Sequence, residues 1–176
     1  MNTPVEEQVV LINEQDQVQG LMGKMQAHQE GVLHRAFSVF VFNDKNETLL
    51  QQRAHGKYHS PGLWTNTCCS HPRENETYID AAHRRIQEEM GFDCDLKPAF
   101  HFIYRADVGQ GLIEHELDYV FVGNFDGTPI PNPEEVADFK WISMDDLVKD
   151  VAQNPQNYTE WFKIILNQYL KHLNNQ

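Results

Sequence analysis

Between two groups of strand-like segments the chain places one strongly periodic helix. Over Tyr78–Met90 the residues Ile79, Ala82, Ile86 and Met90 recur at helical spacing and lay a single apolar stripe along one face. Gly91 supplies the stop. Arg85 and Glu89, four apart, lie on a different face. Around this helix, runs rich in β-branched and aromatic residues predict strands near Val9–Ile12, Ala36–Phe42, Thr48–Arg53, Phe100–Ala106, Glu116–Val122 and Phe139–Ile142. Asn43–Glu47 reads as a hairpin turn between the second and third. Further helices are expected over Met144–Asn154 and Thr159–Leu173. Strands, a central helix, more strands and closing helices make an α+β or three-layer arrangement.

The length of 176 residues fits one domain, residues 1–176. Gly127–Pro133 resembles a linker but is too short to divide two domains. With 14 Lys+Arg against 26 Asp+Glu the net charge is −12. That argues against nonspecific nucleic-acid binding and against an anionic membrane surface, both of which need a basic patch. The acidity is uneven: eight basic and ten acidic groups lie in residues 1–85, six and sixteen in residues 86–176. An anion site should therefore draw on the first half. The opening MNTPVEEQVV lacks the basic stretch and apolar segment of a secretory signal, and three cysteines without a CxxC pair suit a reducing, cytoplasmic setting. Nine histidines are the unusual count.

Four places concentrate reactive side chains. Lys24 to His28, with His34 beyond, puts two histidines in a loop-like segment, compatible with metal ligation or with accident. In Trp64–Pro72, extended alternation sets Thr67, Cys69 and His71 on one face and Cys68 and Ser70 on the other. Those cysteines are either reactive thiols or small buried hydrophobes. On a strand, Glu114, Glu116 and Asp118 form one row, which calls for a cation, protons or solvent to relieve their repulsion. Late in the central helix, Arg84 and Arg85 could pair with Glu88 and Glu89 in ordinary i, i+4 fashion.

The segment Ser70-x5-Glu76-x7-Arg84-Arg85-Ile86-Gln87-Glu88-Glu89-Met90-Gly91-Phe92 resembles a Nudix box, G-x5-E-x7-R-E-U-x-E-E-x-G-U. Ser70 replaces its first Gly, and Arg85 replaces a Glu with which Nudix hydrolases hold magnesium. Thr65-Asn66-Thr67-Cys68-Cys69-Ser70-His71-Pro72 and Glu114-His115-Glu116 resemble the TNxxCxHP and ExE signatures of the type I isopentenyl-diphosphate isomerases, Nudix-fold enzymes that do not hydrolyse. The resemblance runs from about Val9 to Trp161.

It implies mixed β-sheets sandwiched between α-helices and the interconversion of isopentenyl and dimethylallyl diphosphate. Cys69 and Glu116 would transfer the protons from opposite faces of the substrate, Tyr104 would assist the carboxyl group, and Trp161 would face the carbocation. His28, His34, His71, Glu114 and Glu116 match the family's metal site, for Mn2+ or Mg2+, with Zn2+ also compatible. Glu89 matches the position that helps hold a second Mg2+ on the substrate diphosphate. Lys24, Arg53, Lys57 and Arg85 match the diphosphate-binding positions. The partner implied is a small diphosphate, with the chain a monomer or weak homodimer. A Nudix hydrolase with shifted metal ligands and a non-catalytic metal-binding domain are the competing classes. His55, His59, His83, His101, His115 and His172 match none of these positions.

Overall fold

A computed structural model describes residues 5–176. In chain order the elements are β1 (Gln8–Ile12), β2 (Val18–Gly23), α1 (Lys24–Glu30), β3 (His34–Phe42), β4 (Glu47–Arg53), β5 (Trp64–Thr65) and β6 (Cys68–Ser70). There follow α2 (Tyr78–Met90), β7 (Leu96–Gly109), β8 (Leu112–Asn124), β9 (Val136–Ser143), α3 (Met144–Gln153), a 3-10 turn (Pro155–Asn157) and α4 (Glu160–Asn174). The expected strands and helices are present, most with longer strand ends. Sequence reasoning did not find β2, β5, β6 or α1.

The nine strands form one mixed sheet. At its centre β3 and β8 run parallel, with His34 opposite Glu116, Ala36 opposite Asp118 and Ser38 opposite Val120. The other pairings are antiparallel, including β3 with β6, where Ser38 faces Cys69. Because side chains alternate along a strand, each central strand feeds two layers. Phe40 and Phe42 of β3 and Val120 of β8 pack with Leu147 of α3 and Phe162, Ile165, Leu166 and Tyr169 of α4. The intervening Phe37, Val39, Val41 and Phe121 pack against Ala81, Ala82, Ile86 and Met90 of α2. This is the helix–sheet–helix sandwich. Ile79, in the expected stripe, is only partly buried at its edge.

Helix α2 starts where the Thr77 hydroxyl accepts from the Asp80 amide, a cap worth about 1 kcal/mol. Ile86 and Met90 are fully buried, each contributing about 1.5–3 kcal/mol by leaving water. It ends at Gly91, whose φ is 72° and whose place no larger residue could take, since a Cβ there would collide with the Ile130 carbonyl. The linker-like Gly127–Pro133 is thus a strap. Its Ile130 and Asn132 amides donate to the Met90 and Glu89 carbonyls at 2.9 Å, tying it to the end of α2. Among the described residues, no helix is long and apolar enough to cross a membrane, which says nothing of β-barrels.

Candidate active site

The near halves of β3 and β8 open into a cleft where the far halves make core. On the same face of β8, Glu114, Glu116 and Asp118 precede Val120; on β3, His34, Ala36 and Ser38 precede Phe40. The carboxylate row is not a solvent face, for Glu114, Glu116 and Asp118 are 6%, 4% and 1% exposed.

His28 does not lie in a loop. It sits in α1, a helix sequence reasoning missed because it is short and flanked by Gly23 and Gly31. The His28 Nδ1 lies 2.6 Å from the Lys24 carbonyl, and the His34 Nδ1 lies 2.8 Å from the Val32 carbonyl. Donating there leaves each Nε2 as a free lone pair, the usual arrangement around a metal-ligating histidine. The His71 Nε2 is 3.2 Å and the His34 Nε2 3.8 Å from Glu116 Oε1. Ligand atoms from His28, His34, His71 and Glu116 all lie within 4.8 Å of one another. Three imidazoles and a carboxylate this close fit a divalent metal. Glu114 stands outside this mutually close set, its Oε2 taken by the Tyr104 hydroxyl at 2.8 Å.

Burial sets the protonation here. It pushes His28 down to about 4, with the neighbouring His71 adding to the effect, and His71 down to about 3, with the Lys24 charge adding. Burial raises Glu116 to about 8 and drives Glu114 well above the ordinary carboxyl range, the latter helped by Glu116. Without a cation, the cluster favours neutral rings and protonated carboxyls. The Tyr104 hydroxyl also lies 3.3 Å from Glu116 Oε2.

Across the cleft, the two adjacent cysteines part company. Cys68, fully buried among the α2-side core, donates its thiol to Glu89 Oε2 at 2.9 Å. Cys69 turns into the cleft with His71, as alternation required. Thr67 does not join them: it lies in the bend before β6, and its hydroxyl donates to the Leu49 carbonyl and accepts from the Val41 amide. The Cys69 thiol donates to Asn66 Oδ1 at 2.9 Å and lies 3.3 Å from Ser38 Oγ, which donates to Asp118 at 2.8 Å. Asn66 is oriented by giving its amide hydrogens to the Val39 and Cys68 carbonyls. Its Oδ1 also accepts from Thr65 Oγ1, which accepts from the Trp161 indole at 3.1 Å. One hydrogen-bond chain therefore fixes Cys69 and Trp161 together. Burial, then Asp118, pushes the Cys69 thiol far up, so it is a protonated donor.

Lys24, Arg53, Lys57, Arg85 and Glu89 all line this cleft. Lys24 pairs with Glu7 at 3.2 Å, Lys57 with Glu135, and Arg85 with Glu88 at 2.7 Å and with Glu89 and Glu135 at 3.5 Å each. Arg85 thus keeps its helix partners while reaching the cleft. Arg84 departs from the i, i+4 expectation: its main partner is Glu76, at 2.8 and 2.9 Å, with Glu88 secondary at 3.5 Å. Arg53 has no carboxylate partner among the described residues. Its guanidinium lies 5.0 Å from the Trp161 ring centroid. Glu7, Glu135 and His59 were not foreseen, since only the fold brings them here. Among the described residues, every buried side-chain N or O without a partner belongs to this region: His34 Nε2, Arg53 Nε, His59 Nδ1, His71 Nδ1, Arg85 Nε and Asp118 Oδ1. Buried polar groups are ordinarily paired, so this concentration marks a place built for ligands.

Comparison with known proteins agrees with that geometry. Residues 32–162 match the NUDIX domain. The chain is 54% identical to an isopentenyl-diphosphate Delta-isomerase 2 of Aromatoleum aromaticum, over 94% of this chain and 88% of that protein. It is 52% identical to another of that name from Photorhabdus laumondii, over 93% and 92%. Among solved structures, a Deinococcus radiodurans protein superposes with a TM-score of 0.78 at 19% identity, covering 92% of this chain and 98% of that one. A MutT Nudix hydrolase from Burkholderia pseudomallei does so at 0.61 and 22% identity, covering 77% and 97%; both show likeness of fold alone. With its Nudix domain and half of its residues shared along nearly the full length, the chain belongs to the isopentenyl-diphosphate Delta-isomerase family.

Proposed function

We infer that this protein interconverts isopentenyl and dimethylallyl diphosphate for isoprenoid biosynthesis. The observation that carries the reading is a protonated thiol and a carboxyl cluster of raised pKa in one cleft whose rim holds cations and whose wall holds a buried indole. An unactivated alkene is a weak base, so its protonation needs a positioned acid shielded from water. One partner of the Cys69–Glu116 pair gives a proton to C4, leaving the positive charge at C3. The other removes a proton from C2, and the double bond shifts with no net gain or loss of atoms or electrons. Tyr104, within reach of Glu116, moves or holds a proton at that carboxyl group. The Trp161 ring offers the cation up to about 2 kcal/mol when desolvated.

His28, His34, His71 and Glu116, with Glu114 beside them, would hold a divalent ion, Mn2+ or Mg2+ with Zn2+ also compatible. Such an ion would set the charge and protonation of the Glu116 carboxyl. Lys24, Arg53, Lys57 and Arg85 bind the diphosphate, and Glu89 helps hold the Mg2+ that accompanies it. A local group of cations suits a small diphosphate even in a chain of net charge −12, which offers nothing to nucleic acid or membrane. We take residues 1–176 as one cytoplasmic domain, a monomer or weak homodimer; its single connected sheet supports the one-domain reading.

Incubation with isopentenyl diphosphate and Mg2+ under reducing conditions should yield dimethylallyl diphosphate. Release of inorganic phosphate without isomer would instead mark a hydrolase and end this reading.

A further inference from the structure

His59 belongs to the loop between β4 and β5 and has no role in the reading above. It is 5% exposed, yet its Nδ1 has neither donor nor acceptor. A histidine used only as core filler would have that atom matched, because an unpaired buried polar group costs about 1–3 kcal/mol. The ring is fixed on two sides. It stands edge-on to Trp161 at 5.6 Å between centroids and edge-on to Tyr58 at 4.6 Å. Its backbone is held as well, since Arg53 Nη2 donates to the His59 carbonyl at 3.3 Å. The unsatisfied nitrogen is therefore part of a rigid wall.

The surroundings define what would complete it. His59 lines the same cleft as Lys24, Arg53 and Lys57, and the unpartnered Nε of Arg53 belongs to the same wall. A group that satisfies the imidazole among these cations must carry negative charge and accept hydrogen bonds. We propose that His59 is a further substrate-binding residue, its Nδ1–H donating to an oxygen of the substrate diphosphate beside Arg53. The inference rests on the isomerase reading and adds a neutral donor to its four charged ones. The same ring then bridges the diphosphate to Trp161, so that the anion and the alkene end are located by one contiguous wall.

The test compares His59→Asn, whose amide nitrogen can stand where Nδ1 stands, with His59→Leu, which keeps bulk and removes the donor. Binding of inorganic pyrophosphate with Mg2+ is read by calorimetry, alongside KM and kcat for isopentenyl diphosphate. His59→Leu should weaken pyrophosphate and raise KM about tenfold, the loss of one hydrogen bond to a charged group. His59→Asn should stay within about threefold of wild type. Equal weakening in both variants overturns the proposal, as does unchanged pyrophosphate binding with a fall confined to kcat. Should Leu fail to fold, by its thermal midpoint, wild-type-like binding by Asn supports the proposal and weakened binding by a folded Asn variant overturns it. If the wild type forms no isomer while Leu still weakens pyrophosphate and Asn does not, the anion contact stands and the isomerase reading falls alone.

Discussion

On one face of β8, Glu114, Glu116 and Asp118 lie buried with few partners; on the other, Leu117 and Phe121 pack into apolar layers. The two faces share one backbone and one register, so the strand geometry is common to both. What differs is which groups have been satisfied. The apolar face gains stability from every buried atom, while the cleft face holds carboxyls, imidazoles and a thiol whose burial opposes their charged forms. Function on this fold is a region of withheld stabilisation beside one of full packing.

Substitutions on the two faces should therefore fail differently. Cys69→Ala should lower isomerisation by about 10³-fold or more, the scale of a lost proton-transfer group, with its thermal midpoint close to wild type; turnover of labelled substrate and a melt read both. Wild-type turnover would remove Cys69 from the chemistry. Phe121→Ala, on the packed face, should cost about 3–5 kcal/mol in denaturant unfolding. A cost under about 1 kcal/mol would break the contrast.

Glu116→Gln sharpens it further, because activity and stability should move in opposite directions. A carboxyl raised to about 8 in the folded protein, against 4.5 in its unperturbed state, contributes stability that is intact below pH 4.5 and lost as pH rises to about 8. In metal-free protein the Gln variant should then gain on wild type across that window by a few kcal/mol, at about 1.4 kcal/mol per unit. The histidines act at the other end. His28, depressed to about 4, costs stability as pH falls from 6.5 toward 4. Difference melts across about pH 4–9, with and without Mn2+, separate the two. A Gln variant that tracks wild type at every pH would show that Glu116 is not held protonated.

The neighbouring arginines give the smallest contrasts. Arg85→Ala should raise KM for isopentenyl diphosphate about 10- to 30-fold, losing a charged contact to the diphosphate. Arg84→Ala should leave KM within about threefold and lower stability by about 1 kcal/mol, since its two bonds to Glu76 are only partly buried. Reversed outcomes would exchange their roles.

Much of this was legible in the sequence, and the limits have physical causes. The α2 stripe and its Gly91 stop were readable because periodicity and a left-handed cap are local. The parity of Glu114, Glu116 and Asp118 was readable too, but whether water or protein covered that row depended on β3 and α1, which pack against β8. Helix α1 escaped because seven residues with only Ala27 and His28 buried carry no apolar stripe. Strands β5 and β6, two and three residues long, exist only through their pairing with β4 and β3. His59, Glu7 and Glu135 sit in no motif. Their relevance comes from partners far along the chain, which no local pattern records.

The parallel pairing of β3 with β8 also orders events during synthesis. Ser38 and Asp118 touch across 80 residues of chain, so a loop of that size must close before His34 can meet Glu116. Non-local closure of this kind is slow compared with helix formation. A ribosome-bound chain that has exposed all three imidazoles still lacks the carboxylate half of the cluster. Three imidazoles alone are a poorer divalent-metal set than the completed cluster, so an ion held there would stabilise the chain chiefly once β3 and β8 have paired, in proportion to its preference for the folded state.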